Sequence, residues 1–141
     1  MEILVFSGSD SEKLKYAIDI RTEVFIKEQG VSSEDEFDDK DPVSDYVLIK
    51  NQNKYVGCGR AWFLNNTAHF GRIAVTKNAR KSGVGRIIIE KLIEISKAKG
   101  ADIITLGAQL QAVGFYEKLG FKAYGDVYLD ANIKHINMNL S

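Results

Sequence analysis

Apolar and polar positions change their period several times along the chain, and each change marks an element. Met1 to Phe6 alternates loosely and predicts an edge strand. Ser9 with Glu12 three residues on has the form of a capping box. The helix after it sets Leu14, Ala17, Ile18, Arg21, Val24 and Phe25 on one face, so Arg21 is a charge inside an apolar stripe. Glu28 to Asp41 is acidic and without period, which predicts a loop holding one short helix. Tyr46–Ile49, Tyr55–Phe63 and His69–Thr76 predict three strands joined by turns around Asn51–Asn53 and Asn65–Asn66, an antiparallel meander. The second of them puts Val56, Cys58, Arg60 and Trp62 on one face.

Gly83 to Lys99 places Val84, Ile88, Leu92, Ile95 and Ala98 at the helical period. Gly100 ends that helix, and Lys97 and Lys99 complement the negative end of its dipole. Asp102–Leu106 reads as a buried strand. Gln109–Leu119 reads as a short helix with Ala112, Phe115, Tyr116 and Leu119 on one face, closed by Gly120. Phe121–Tyr124 and Ile133–Leu140 are the last two strands. The order β-α-(α)-β-β-β-α-β-α-β-β predicts one α/β (α+β) domain over 1–141, with a mixed, mostly antiparallel central sheet flanked by helices.

Composition changes this picture in one respect. The chain has 141 residues, ordinary for one domain, and its 19 basic and 19 acidic residues cancel. A general nucleic-acid binder is clearly basic, so the balance argues against that partner. The zero hides a split: Glu34–Asp45 has seven acids and one lysine, and Arg72–Lys99 has eight bases and two acids. Two opposite clusters in one small domain point to two ligands or to two ends of one cleft. One cysteine, Cys58, and two distant histidines, His69 and His135, give no metal signature. Cys58 on an alternating strand reads as a small buried hydrophobe. No apolar run has the length of a membrane span and no secretory leader is expected, so the expected location is the cytoplasm.

The chemistry concentrates in Gly71 to Gly85, where a strand runs into a basic, glycine-containing turn and the turn runs into a long helix. A helix start exposes about four unpaired N–H groups and a positive partial charge. Gly83 and Gly85 let an anion approach the backbone, and Arg80, Lys81 and Arg86 add full charges. This chemistry suits a pyrophosphate. It is neither a Walker A loop, for want of Lys-Ser/Thr after the second glycine, nor a GxGxxG dinucleotide turn.

Arg80-Lys81-Ser82-Gly83-Val84-Gly85 resembles the motif of the GNAT superfamily of acyl-CoA-dependent N-acetyltransferases, a Gln or Arg followed by x-x-Gly-x-Gly/Ala. Gln109-Leu110-Gln111-Ala112-Val113-Gly114-Phe115-Tyr116-Glu117-Lys118-Leu119-Gly120-Phe121 resembles the second signature of that family, with Gln109 where the family usually has Asn. Glu28-Gln29, the acidic loop and Asn132–His135 resemble a bacterial subgroup of small members. The resemblance covers nearly the whole chain and implies acetyl-CoA as co-substrate, held between splayed central strands. The backbone of Ile73, Ala74 and Val75 would pair with the pantetheine amides as an added strand does. The N–H groups from Lys81 to Arg86 would hold the pyrophosphate, with Gln109, Ala112 and Phe115 also on the cofactor side. Tyr116 would protonate the leaving thiolate. A homodimer is compatible with the resemblance.

Transfer to an amine also needs a base and an oxyanion donor. The strand backbone at Ile73–Val75 is the expected donor. Glu28, Glu36, Asp38, Asp41 and His135 are the base candidates. Arg21, Glu28, Glu36, Asp38 and His135 are expected to face the substrate, with Arg21 or Arg60 meeting a carboxylate on an amino-acid acceptor. The expected acceptor is the primary amine of a small molecule: an amino acid, an amino sugar or a polyamine. The competing readings are a catalytically silent acyl-CoA-binding regulatory module and an acetyltransferase of protein or peptide amines. Aminoacyl-tRNA is a further acceptor class, which the charge balance disfavours.

Overall fold

The computed structural model describes residues 1–140. Seven strands form one sheet: β1 (Glu2–Ser7), β2 (Asp45–Asn51), β3 (Lys54–Leu64), β4 (Thr67–Val75), β5 (Ile103–Gln109), β6 (Lys122–Asp130) and β7 (Ile133–Leu140). Their order is β1-β2-β3-β4-β5-β7-β6. All neighbours are antiparallel except β4 and β5. The helices are α1 (Ser11–Arg21), α2 (Ser33–Glu36), α3 (Val84–Ala98) and α4 (Val113–Lys118). The predicted fold class and element order hold.

Two local predictions change. The side chain that caps α1 is that of Asp10, which accepts from the Lys13 amide at 3.3 Å, not that of Ser9. Gln109 ends β5 rather than starting a helix, and α4 begins only at Val113 after a 3-10 turn. The first helix also does not stop at Arg21. It widens into a π-helical stretch, Thr22–Glu28, in which the Gln29 amide reaches back to the Val24 carbonyl at 3.2 Å. Such insertions are rare and concentrate at functional sites.

Each face of the sheet carries its own core. Below it, Val84, Ile88, Ile89 and Leu92 of α3 and Tyr116 of α4 pack on Val47, Ile49, Ala61, Phe70, Ile104 and Leu106. Glycines on β3 let α3 come close: a Cβ on Gly59 would lie 2.7 Å from Ile88 Cγ2 and from Ile73 Cδ1. Above it, Ala17 and Ile20 of α1 and Val24 just beyond it pack on Phe6, Tyr46, Leu48, Cys58 and Ala74.

Phe70 and Ala74, both even-numbered on β4, lie on opposite faces, which an unbroken strand forbids. A β-bulge accounts for it. Gly71 pairs with Arg60 and Ala74 with Cys58, so β4 spends one residue more than β3 there, and Arg72 takes a left-handed φ of 52°. Bulges bend a strand and raise its twist. The parallel pairing with β5 runs only from Thr67–Ile103 to Phe70–Leu106 and ends at this point. From Gly71 to Val75 the strand has no partner on the β5 side, and a slot opens there.

Candidate functional site

The slot widens into a cleft of about 790 Å³. One wall is β4 from His69 to Val75, and the other holds Thr105–Gly107 and Gln109 of β5 with Ala112 and Tyr116. Residues of the first helical segment and the acidic loop line it, among them Phe25, Glu28, Gln29, Asp35 and Glu36. The β6–β7 hairpin adds Tyr124, Tyr128, Asp130 and His135. Ile73, Ala74 and Val75 therefore present an unpaired strand edge to the slot.

Arg80 lines the cleft, and the glycine turn follows it in the chain. Gly83 has φ of +88° and caps α3 through its backbone, with no side chain supplying the cap. A non-glycine residue there would be strained. Lys81 (φ 64°) precedes it, exposed like Ser82 and Gly83. Val84 points into the core and offers only its N–H, while Gly85 lies against the Phe115 ring, which a Cβ would meet at 3.3 Å. Phe115 thus braces α4 on α3. Arg86 is exposed and meets only Glu90, one turn on, at 3.4 Å. Free N–H groups at a helix start, an open approach and basic side chains fit a pyrophosphate.

Tyr116 is buried on the slot wall, and burial pushes its hydroxyl up to about 12. It keeps its proton at neutral pH. Gln109 is engaged on both sides, donating to Gln29 Oε1 at 3.0 Å and accepting from Gln111 at 2.6 Å. Arg80 meets both oxygens of Glu28 at 2.6 Å and donates from Nε to the Val75 carbonyl at 3.0 Å. The Arg80 guanidinium holds the Glu28 carboxyl below its ordinary value.

The substrate-side predictions are redistributed. Arg21 does not face the cleft. It is wholly buried and donates to Glu36 Oε1 and Asp41 Oδ1 at 2.6 Å, and to the Glu36 carbonyl and the Tyr46 hydroxyl at 2.8 Å. Burial works against its charge, but these partners outweigh it and the guanidinium stays firmly protonated. Arg60 meets Asp38 through both oxygens at 2.7 and 2.8 Å and Asp41 at 2.7 Å, so it too is not available to an acceptor carboxylate. Arg72, carried by the bulge, adds contacts to Glu36 at 3.3 Å and Asp38 at 3.2 Å. Three arginines thus cancel three carboxylates, and three of the seven acids in the cluster are spent on holding its own loop.

The remaining acids follow from this. Burial resists the charge on Asp38, but Arg60 overcomes it and brings the carboxyl down to about 2. Asp41 is also lowered, Arg21 and Tyr46 overcoming its burial. Glu36 alone goes up, because burial outweighs Arg21. Each of the three is held by two arginines.

The cleft-lining residue that sequence reasoning passes over is His69. It lies on β4 two residues before Gly71, its ring stacked on Trp62 at 4.0 Å and 8°. Lys40 Nζ stands 4.7 Å from the same indole. Burial and then the Lys40 charge lower the His69 imidazole below its ordinary value, so it is neutral at pH 7. His135 lines the hairpin side, with Nδ1 2.7 Å from the Ile133 carbonyl and its ring facing Tyr128. Cys58 is fully buried, its thiol pushed up to about 12 by burial, as the alternating pattern predicts for an inert residue. Among the described residues no His/Cys/Asp/Glu group has metal-holding geometry, and no helix is long and apolar enough to cross a membrane.

Comparison with known proteins agrees with this geometry. The chain is 41% identical over 128 residues to YyaT of Bacillus subtilis, covering 89% of this chain and 86% of that one. It is 38% identical over 132 residues to the N-acetyltransferase YjcF of the same organism, covering 93% and 94%. The crystal structure of Escherichia coli ElaA superposes over the full length of both chains with a TM-score of 0.90 at 25% identity. An acyl-CoA N-acyltransferase from Pseudomonas aeruginosa shares the fold over both full lengths, with a TM-score of 0.89 at 24% identity. Residues 11–141 match the acetyltransferase (GNAT) domain. The chain belongs to the GNAT acetyltransferase family, and acyl-CoA is the co-substrate that this membership implies.

Proposed function

We propose that the chain transfers an acetyl group from acetyl-CoA to the primary amine of a small molecule by direct attack. The observation that carries this reading is the slot at the Arg72 bulge, where an unpaired strand edge and a buried tyrosine line one cleft and the chain runs on through Arg80 into the glycine turn. Acetyl-CoA supplies the activated acyl group. The Ile73–Val75 edge receives the pantetheine arm as an added strand. The N–H groups of Lys81 to Arg86 take the pyrophosphate.

A backbone N–H beside the bulge donates to the oxyanion as the carbonyl is attacked. Tyr116 gives its proton to the departing thiolate. His69 takes the proton lost by the amine. It is neutral, it sits on the same strand as the oxyanion donor, and the three carboxylates of the arginine network are each engaged by two arginines. The cleft has the size of a small-molecule site. Trp62, Tyr124 and Tyr128 give it an aromatic lining suited to the flat or aliphatic body of an amine.

The test is release of free CoA thiol from acetyl-CoA against a panel of amino acids, amino sugars, polyamines and arylalkylamines. At least one small amine raises the rate above hydrolysis. If none does, and CoA still binds, the chain is a binding module and the transfer reading fails.

A further inference from the structure

Two neighbouring residues at the end of the π-helical stretch reach the two lips of the slot. Glu28 grips Arg80, in the turn that follows β4, through both carboxylate oxygens. Gln29 holds Gln109, the last residue of β5. The segment before the acidic loop is therefore tied to each of the two strands that have parted from one another. These links span 52 and 80 residues of sequence. Between Gly71 and Val75 no backbone ladder fixes the spacing of the strands, so side chains are left to do it.

The geometry at Arg80 favours this role over that of a phosphate ligand. Its Nη1 and Nη2 meet one carboxylate end-on, and its Nε is turned back to the carbonyl of Val75, the last residue of β4. A fork-to-fork contact fixes the orientation of both planes and offsets the charge. Lys81 and Arg86, next to the glycine turn, have no comparable partner: Arg86 meets only Glu90, at 3.4 Å and with both side chains more than half exposed.

We propose that Glu28 and Arg80 form a brace, in which Glu28 is a positioning residue. With Gln29 and Gln109 it sets the width of the slot and the register of the turn, and Arg80 supplies structure rather than charge to the pyrophosphate. The proposal rests on the acetyl-CoA reading above. A brace lowers the ordering that binding otherwise requires, and so favours cofactor affinity without touching the reacting atoms.

The experiment compares wild type, Glu28→Arg, Arg80→Glu and the Glu28→Arg/Arg80→Glu exchange. CoA binding is read by calorimetry, and kcat and KM by thiol release. Each single variant raises the KM for acetyl-CoA about tenfold or more and changes kcat less. The exchange returns KM to within about threefold of wild type, although position 80 then carries a carboxylate. An exchange that binds CoA as weakly as Arg80→Glu overturns the brace and makes Arg80 a phosphate ligand.

Acetyl-pantetheine, which lacks the pyrophosphate, gives a second readout. Both single variants raise its KM as well, because the slot itself loosens; an unchanged value also overturns the proposal. Amide exchange at 71–75 and 107–109 quickens in the single variants and recovers in the exchange. This last measurement decides the brace even if wild type binds no CoA, a result that would instead remove the acetyl-CoA reading.

Discussion

Arg21→Leu is the sharpest test of how the acidic loop is held. Arg21 is 0% exposed, and Glu36 and Asp41 are 3% and 7% exposed. The substitution removes two charge-assisted contacts of 2.6 Å and two of 2.8 Å. Asp41 keeps Arg60 and Tyr46, but Glu36 keeps only Arg72. Removing one partner from a buried ion pair costs about 3–5 kcal/mol, because the survivor stays desolvated. At about 3 °C per kcal/mol for a chain of this size, Tm falls by roughly 10–15 °C.

Urea unfolding at pH 7 and pH 5 measures the loss. The sign of its pH dependence follows from Glu36, whose carboxyl burial already holds above its ordinary value. A group raised in the folded state stabilises below its unfolded value, and that stability is lost as pH rises through the folded one. Without Arg21 it rises further, so the deficit is larger at pH 7 than at pH 5. Asp38 is lowered by Arg60, which the variant keeps, so it does not contribute to the difference; Asp41 loses the lowering that Arg21 supplied and shifts in the same direction as Glu36. The Arg21→Leu/Glu36→Leu pair, which leaves no orphan carboxylate, is at least about 1 kcal/mol more stable than the single variant. A single-variant loss below about 1 kcal/mol, or a double variant no better than the single, would refute the account of a desolvated charge network.

Three further outcomes follow. Tyr116→Phe lowers kcat by about 10²-fold or more while CoA affinity stays within about twofold; an unchanged kcat removes Tyr116 as the acid. His69→Gln abolishes the acidic limb of the kcat/KM profile, which in wild type lies below the ordinary imidazole value because burial and Lys40 depress it; persistence of that limb assigns the base elsewhere. Cys58 in the folded chain resists iodoacetamide at pH 7, since its thiol is fully buried and pushed up to about 12, and reacts fully in denaturant; rapid labelling of the native chain contradicts the packing around Ala17 and Cys58.

The glycine turn and the start of α3 are close in sequence, and their backbone geometry is correspondingly legible. Gly83, the helix from Val84 and the basic turn before it lie within a few residues of one another, and backbone geometry at such range follows from residue type. Tyr116 came with its own helix stripe. The element order also followed from period alone, because strand and helix patterns along this chain are long and separated by turn residues. The boundary at Gln109 failed because its polar side chain suits a helix start as well as a strand end. The decision came from antiparallel pairing with His135, which local pattern does not contain.

The sequence by itself determined the α/β order of elements and the glycine turn before α3, both products of local propensity and short-range hydrogen bonding. Tertiary structure decided the rest. It placed the bulge at Arg72, where register against β3 is one residue out, and so it decided where the slot opens. It cancelled Glu36, Asp38 and Asp41 against Arg21, Arg60 and Arg72, partners as much as 36 residues away, and so clamped the acidic loop. It also set His69 in the cleft beside Trp62 and Lys40, neutral and facing the slot. Charge pairing and desolvation depend on which distant side chains share a low-dielectric space, and that is settled only when the sheet closes its register.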